Sequence, residues 1–432
     1  MKCLYLNQQI KRMMLFNNKN ILFSIIILLC FASCTKNKET KSVLKDNINF
    51  DHFNHLFKEI DFKGEKVGIV HIYSEYPDYK FEIEPNEGFT CVDDVARAVV
   101  MLSTYLKVNE KDDEAFNKLR KLTQFVLQMQ NDNGYFNNFI WKDLSINTTY
   151  KTSVAELNWW SFRALWALES AYDLLKTDED LAKRIVMASE ILLANIKRDI
   201  PITDFKTELV ETVEVPTWLP QKYASDQSAL LILGLLKNYE RTADYDIKFM
   251  IDALAKGIMI MQKGNSNAYP YGAFMSWQNL WHAWGNGQAY ALLKAGQKFN
   301  NQTYIDSALM EIGNFYPYLL ENGLAEAFWI EKTGENSYRE TKRNEYPQIT
   351  YGLRPMVWSS LEAYKYSKNK KYLKLAKDLN SWLSGNNDAK TVMYHPETGI
   401  CFDGIKSKEE TSKNSGAEST IESLLILLEI KN

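Results

Sequence analysis

Histidine and cysteine are scarce: the 432 residues hold five of each. Beyond Cys34 only Cys91 and Cys401 remain, and two thiols without His partners at ligand spacing make no zinc or other metal site. No cofactor is expected. An export route would permit a disulfide between the two thiols, but buried free thiols are the expected outcome. Charge of one sign is also lacking. A net charge of -3 argues against nucleic acid as the main partner. Alternating Val/Ile/Thr-rich runs are few, and no long Pro- or Gly-rich linker divides the chain, so one domain is predicted over residues 49–432.

The first residues stand apart from the fold. Lys11, Arg12 and Lys19 precede the apolar run Ile21–Leu29, which is too short to span a membrane comfortably. It ends in Phe31-Ala32-Ser33-Cys34, and this tail resembles a bacterial lipoprotein cleavage box in which the Cys becomes the lipidated first residue. Residues 1–34 are therefore expected to be a signal peptide ending at lipidated Cys34, and residues 35–48 a polar tether. The mature protein is expected to be exported and lipid-anchored to a bacterial membrane, on its periplasmic or cell-surface face.

What is present is helix after helix, in pairs. Val95–Lys107 precedes Asp113–Gln130, Val154–Lys176 precedes Glu179–Ile196, and Tyr223–Thr242 precedes Asp244–Gln262. Ala283–Phe299 precedes Thr303–Leu320, and Ile349–Ser367 precedes Lys371–Leu383. A last helix over Ala417–Ile430 lacks a follower, and an early one over Phe50–Ile60 fills the gap, giving twelve with a repeat of roughly 60–70 residues. Leading members carry small residues (Ala96, Ala98, Ala164, Ala167, Ala229, Gly234, Ala289, Ala291, Ser359, Ser360), whereas following members carry more charge. That contrast suits an inner ring packed inside an outer one. The predicted fold is all-α, an (α/α)6 toroid with minor β-hairpins in its loops. Lys66–Tyr73 reads as an extended arm, and Lys390–Tyr394 with Gly399–Asp403 as a small hairpin.

In such a ring the leading helices run parallel, so their starts converge on one mouth. Asp93-Asp94 opens the first of them. One Asp is expected to cap the helix, leaving the other spare for acid or base work. Arg97 is expected to salt-bridge neighbouring carboxylates. The other starts bring Glu156 with Asn158-Trp159-Trp160, Asp226 with Gln227, and the run Trp277 to Asn286 with Trp281, His282 and Trp284. Glu345-Tyr346 with Tyr351 and Arg354, and Glu418, complete the set. A 13% aromatic share, with 11 Trp and 24 Tyr, leaves rings to spare for stacking on sugars.

The alternating helices, Asp93-Asp94-Val95-Ala96-Arg97-Ala98, Gln128-Met129-Gln130-Asn131-Asp132-Asn133-Gly134-Tyr135-Phe136 and Arg163-Ala164-Leu165-Trp166-Ala167-Leu168 resemble the six-hairpin (α/α)6-toroid glycosidases. They also resemble helical domains attached to some bacterial glycosyltransferases. The first resemblance implies a sugar-chain hydrolase that uses two carboxyl groups. Asp93, Asp94, Glu156, Asp226, Glu345 and Glu418 are the candidates, with Asp94 and Asp226 foremost. These two start different inner helices, which can supply the roughly 6.5–9.5 Å separation of an inverting mechanism. Trp159, Trp160, Trp281, His282, Trp284, Asn286, Glu345, Tyr346 and Arg354 are the expected sugar contacts. Two rivals stand beside this reading. One is a polysaccharide lyase with His282 or Tyr346 as base and Arg354 on a uronate carboxylate. The other is a glycan-binding lipoprotein without catalysis.

Overall fold

Apolar periodicity and polar caps divide the chain into short inner-to-outer turns and long outer-to-inner loops. The computed structural model describes residues 48–431. The leader ending at Cys34 and nearly all of the tether lie outside the described residues. A short α1 (Asp51–Leu56) runs into β1 (Phe57–Phe62), which pairs antiparallel with β2 (Glu65–Val70). The pairs follow: α2 (Val92–Leu106) with α3 (Asp113–Gln128), α4 (Trp159–Leu175) with α5 (Glu179–Asp199), and α6 (Ser225–Thr242) with α7 (Tyr245–Ile260). Then come α8 (Gln288–Phe299) with α9 (Gln302–Asn322), α10 (Thr350–Ser367) with α11 (Lys370–Asn380), and a closing α12 (Ala417–Lys431).

Every outer helix from α3 to α11 begins at an Asp or Asn whose side chain accepts a free backbone N–H. The caps are Asp112, Asp178, Asp244, Asn301 and Asn369. Three inner helices stop at a left-handed residue, Ala243, Asn300 or Lys368, directly before the next cap. The chain therefore reverses tightly at that end. The long connections, with their short hairpins, all gather at the opposite end, where the inner helices start.

The inner helices α2, α4, α6, α8, α10 and α12 each touch the next, and α12 touches α2, so the ring is closed. This is the (α/α)6 toroid. The small residues are buried between its inner helices. A methyl group at Gly234 would lie 3.0 Å from Leu165 Cγ and 3.1 Å from the Trp166 nitrogen, so the side chain's absence sets the α4–α6 spacing. Cys91 and Cys401 are free and buried.

Several details depart from the sequence reading. The helix expected over Phe50–Ile60 stops at Leu56, because Lys63-Gly64, both at positive φ, close a two-residue hairpin that draws Phe57–Phe62 into a strand. The sixth outer position is thus shared by α1, which packs on α12, and β2, which packs on α3. Helix α4 starts at Trp159 rather than Val154, and α8 at Gln288 rather than Ala283, so Glu156 belongs to a loop, Trp281 and His282 to the short strand Leu280–His282, and Ala283 to Asn286 to the loop after it.

Candidate active site

Helix α2 enters the mouth from an extended Cys91, and the Cys91 sulfur, not an Asp, caps it by accepting the Asp94 N–H at 3.4 Å. The Asp93 N–H goes to Asn138 Oδ1 at 3.0 Å. Neither carboxylate is consumed by capping, and both turn inward to guanidinium groups. Arg97 is buried and holds three carboxylates: Asp94 at 2.6 Å, Glu418 at 2.7 Å and Glu422 at 3.0 Å. Asp93 stands 4.0 Å from the same guanidinium and 2.8 Å from Arg163 Nε. Arg354 Nε donates to the other oxygen of Glu422, and Arg163 donates to the Tyr351 hydroxyl. The Tyr351 ring lies between Arg97 and Arg163, at 4.7 and 4.9 Å from centroid to guanidinium carbon.

Four inner helices, α2, α4, α10 and α12, thus meet in one buried ionic network. Four carboxylates face three guanidinium groups there. A cavity of about 340 Å³ opens onto its upper side, lined by Asp93, Asp94, Arg97 and Glu418 together with Glu87 and Asp403. That volume is within the roughly 300–1,000 Å³ of small-ligand clefts. Negative charge is in excess, so the most weakly held carboxyl keeps a proton at higher pH than usual. Burial pushes Asp94 up, against the pull of Arg97. Glu418 is pushed up to about 7, chiefly by its enclosure in the protein, although 39% of its side-chain surface still opens to the cavity. Asp93 keeps 24% open, whereas Asp94 keeps 5%. Asp403 is raised by burial while accepting from the Gly416 N–H and the Ser419 hydroxyl at 2.8 and 2.7 Å. Glu87 accepts from the Tyr73 hydroxyl at 2.5 Å.

The two carboxyls expected to lead are not gathered into this cavity together. Asp94 lines it, but Asp226 is buried at the start of α6, accepting the Gln227 N–H at 2.6 Å and pairing with His282 Nε2 at 2.8 Å. The His282 ring stacks on Trp284, 3.9 Å between centroids and 5° from parallel. Gly285 follows at φ +71°, and a methyl group there would meet Trp159 at 2.7 Å and the Tyr351 hydroxyl at 2.9 Å. That glycine makes room for the half-buried Trp159, whose ring centroid lies 5.6 Å from the Arg163 guanidinium carbon. Asn286 is buried nearby, with its amide 3.5 Å from the Gly352 carbonyl.

Other expected residues lie elsewhere, for clear packing reasons. Trp281 is buried, stacked on Phe328 at 5.0 Å and edge-on to Phe315 at 5.2 Å, so it is core rather than a sugar platform. Trp160 is likewise buried, its indole donating to the Val154 carbonyl. Glu156 is exposed, holds Asn158, and lines a separate surface depression with Gln221 and Lys222. Glu345 is exposed, and Tyr346 donates to Asp388 at 2.8 Å. Arg354 is committed to Glu422 and lies over the Trp358 ring at 4.7 Å, leaving no free guanidinium for a uronate. Tyr346 and Arg354 are therefore both engaged elsewhere, away from the parts a lyase would give them.

Sequence reasoning missed Arg163 and Glu422 as network members, and Asp403, Glu87 and Tyr73 as lining. A signal existed for the first two. Arg163 and Arg354 are lone charges in otherwise apolar stretches, and with Arg97 and Glu422 each falls in the second turn of an inner helix. A charge there must be paired inside the ring.

No protein-family model matches the sequence, and no curated protein matches it in sequence. Solved structures do share the fold. A sugar epimerase from a ruminal bacterium is 12% identical with a TM-score of 0.59, over 90% of this chain and 97% of that one. Cellobiose 2-epimerase from Spirochaeta thermophila DSM 6192 is 10% identical with a TM-score of 0.59, over 90% and 95%. A family 76 glycoside hydrolase from a bovine Bacteroides thetaiotaomicron strain is 12% identical with a TM-score of 0.59, over 90% and 78%. At such identities the likeness is one of fold, the six-hairpin (α/α)6 toroid.

Proposed function

We propose that the chain is a carbohydrate-active enzyme that hydrolyses glycosidic bonds in an oligo- or polysaccharide. One observation carries the reading: Glu418 and Asp93, on different inner helices, open into one cavity while sharing Arg97. A carboxyl that holds its proton up to about pH 7 can deliver it to the leaving oxygen as the C1–O bond breaks. Asp93, held by Arg163, then takes a proton from the attacking water or attacks C1 itself. Carboxyl pairs in glycosidases stand roughly 5–9.5 Å apart. Contacts of 4.0 and 2.7 Å to the two amino groups of one guanidinium keep this pair below the upper limit. A glycoside hydrolase among the structural neighbours supports the reading.

The His282–Asp226 pair, stacked on Trp284, favours a second reading, in which His282 moves a proton on a sugar carbon and the product is an epimer. Two of the named neighbours are epimerases. The full chain, assayed against a broad glycan panel, separates the readings. Hydrolysis gives new reducing ends at a rate that falls as pH rises through about 7, where Glu418 loses its proton. A new epimer without new reducing ends would replace hydrolysis by the second reading. Unsaturated-uronate absorbance would mean a lyase, and binding without turnover a binding module.

The proposed location follows the leader: export, then anchoring through a lipid on Cys34. Cys34→Ser is expected to move the protein out of the membrane fraction. Retention of the variant there would sink the anchor.

A further inference from the structure

At the end opposite the mouth, the last turns of the inner helices enclose a second cavity, about 700 Å³ and wider than the first. Aromatic rings form part of its lining. Trp166 and Trp358 meet edge to face with centroids 6.3 Å apart, and Tyr290 lies 5.3 Å from Trp358. Five lysines stand around them against three glutamates. Lys237 pairs with Glu240 at 2.5 Å, Lys294 with Glu362 at 3.3 Å, and Lys365 with Glu429 at 2.5 Å. Each glutamate is thereby matched, and Lys107 and Lys298 have no salt-bridge partner among the described residues.

Helix C-termini carry partial negative charge and favour cations in their last turns, which explains lysines at this end in general. That does not suffice for Lys107. Crowding by the surrounding protein, and then repulsion from Lys237, hold its pKa below the ordinary 10.5 despite the weaker attraction of Glu240 and Asp173, and no carboxylate among the described residues pairs with it directly. An anion would supply the missing partner. The rings, with Ser103, Thr104 and Gln297 beside them, offer a mixed apolar and hydrogen-bonding surface of the kind sugars bind.

We propose that this rear cavity is a second binding site, for a sugar carrying a carboxylate, sulfate or phosphate, with the charged group taken up by Lys107 and Lys298. The site is independent of the chemistry at the mouth. Calorimetric titration of the full chain in detergent would use a glucuronic-acid disaccharide, its neutral glucose counterpart, and inorganic phosphate. The charged disaccharide is expected to bind at least about tenfold more tightly than either comparator, and less tightly as salt is raised. The double variant Lys107→Gln, Lys298→Gln is expected to lose that tenfold while keeping the turnover of the front cavity. Equal binding of the neutral disaccharide, equal binding of phosphate alone, or an unchanged affinity in the double variant would each overturn the site.

Discussion

Replacing Glu418 by Gln is expected to lower kcat on a cleavable glycan by about 10²–10⁴-fold, the usual loss when a general acid is removed. The amide is nearly isosteric, and its oxygen can still accept from Arg97, so the fold and the substrate affinity should change little. The loss should therefore fall on kcat rather than KM. The fall in rate as pH rises through about 7 should vanish in the variant, because the group that titrates there is gone. Asp93→Asn is expected to cost a similar factor. Asp226→Asn, by contrast, removes a partner of His282 outside the cavity and should leave hydrolysis within about threefold, the size of a modest positioning effect. The reverse pattern, with Asp226→Asn inactive and Glu418→Gln active, would return the chemistry to His282.

The ring was legible because its signals are periodic and repeated. Small residues recur on every leading helix, and Asp or Asn stands before five outer ones. The convergence of inner-helix starts on one mouth follows from that alternation, and the cavity sits there. The pairing of groups inside the mouth was not legible. Arg97 meets Glu418 across 321 residues, a contact made by ring closure rather than by any local pattern. Asp93-Asp94 looked like a cap because Asp usually is one; a Cys sulfur in that role has no sequence signature. Trp281 and His282 sit next to each other in a strand, so their side chains point to opposite faces. One goes to the outer core and the other to the inner ring, a split that an aromatic-rich run conceals. Phe53, Leu56, Phe57 and Ile60 fit a helical spacing, and only the turn at Lys63-Gly64 decides that half of that run is strand.

Arg97→Met should be the most destabilising single change at the site, by about 3–5 kcal/mol at neutral pH, the usual cost of stripping the partner from buried charge. Methionine fills much the same volume, so cavity formation contributes little. Asp94, Glu418 and Glu422 would lose the cation they share, and Glu422, with no exposed side-chain surface, would keep only Arg354. The pH dependence has a definite sign. Glu418 already binds its proton more tightly folded than unfolded, since its folded pKa is about 7 against an ordinary 4.5. The stability this contributes is complete below about 4.5 and is lost as pH rises through about 7. Without Arg97, which pulls both down, Asp94 and Glu418 are pushed further up, so the variant binds still more protons when folded and its deficit widens with pH. Urea midpoints at pH 5 and pH 8 measure both. A loss below about 1 kcal/mol, typical of an exposed pair, or an equal loss at the two pH values, would mean that Arg97 does not hold the network together. Adding Glu422→Gln to Arg97→Met should cost less than the two changes summed, because neutralising one stranded carboxyl relieves the others.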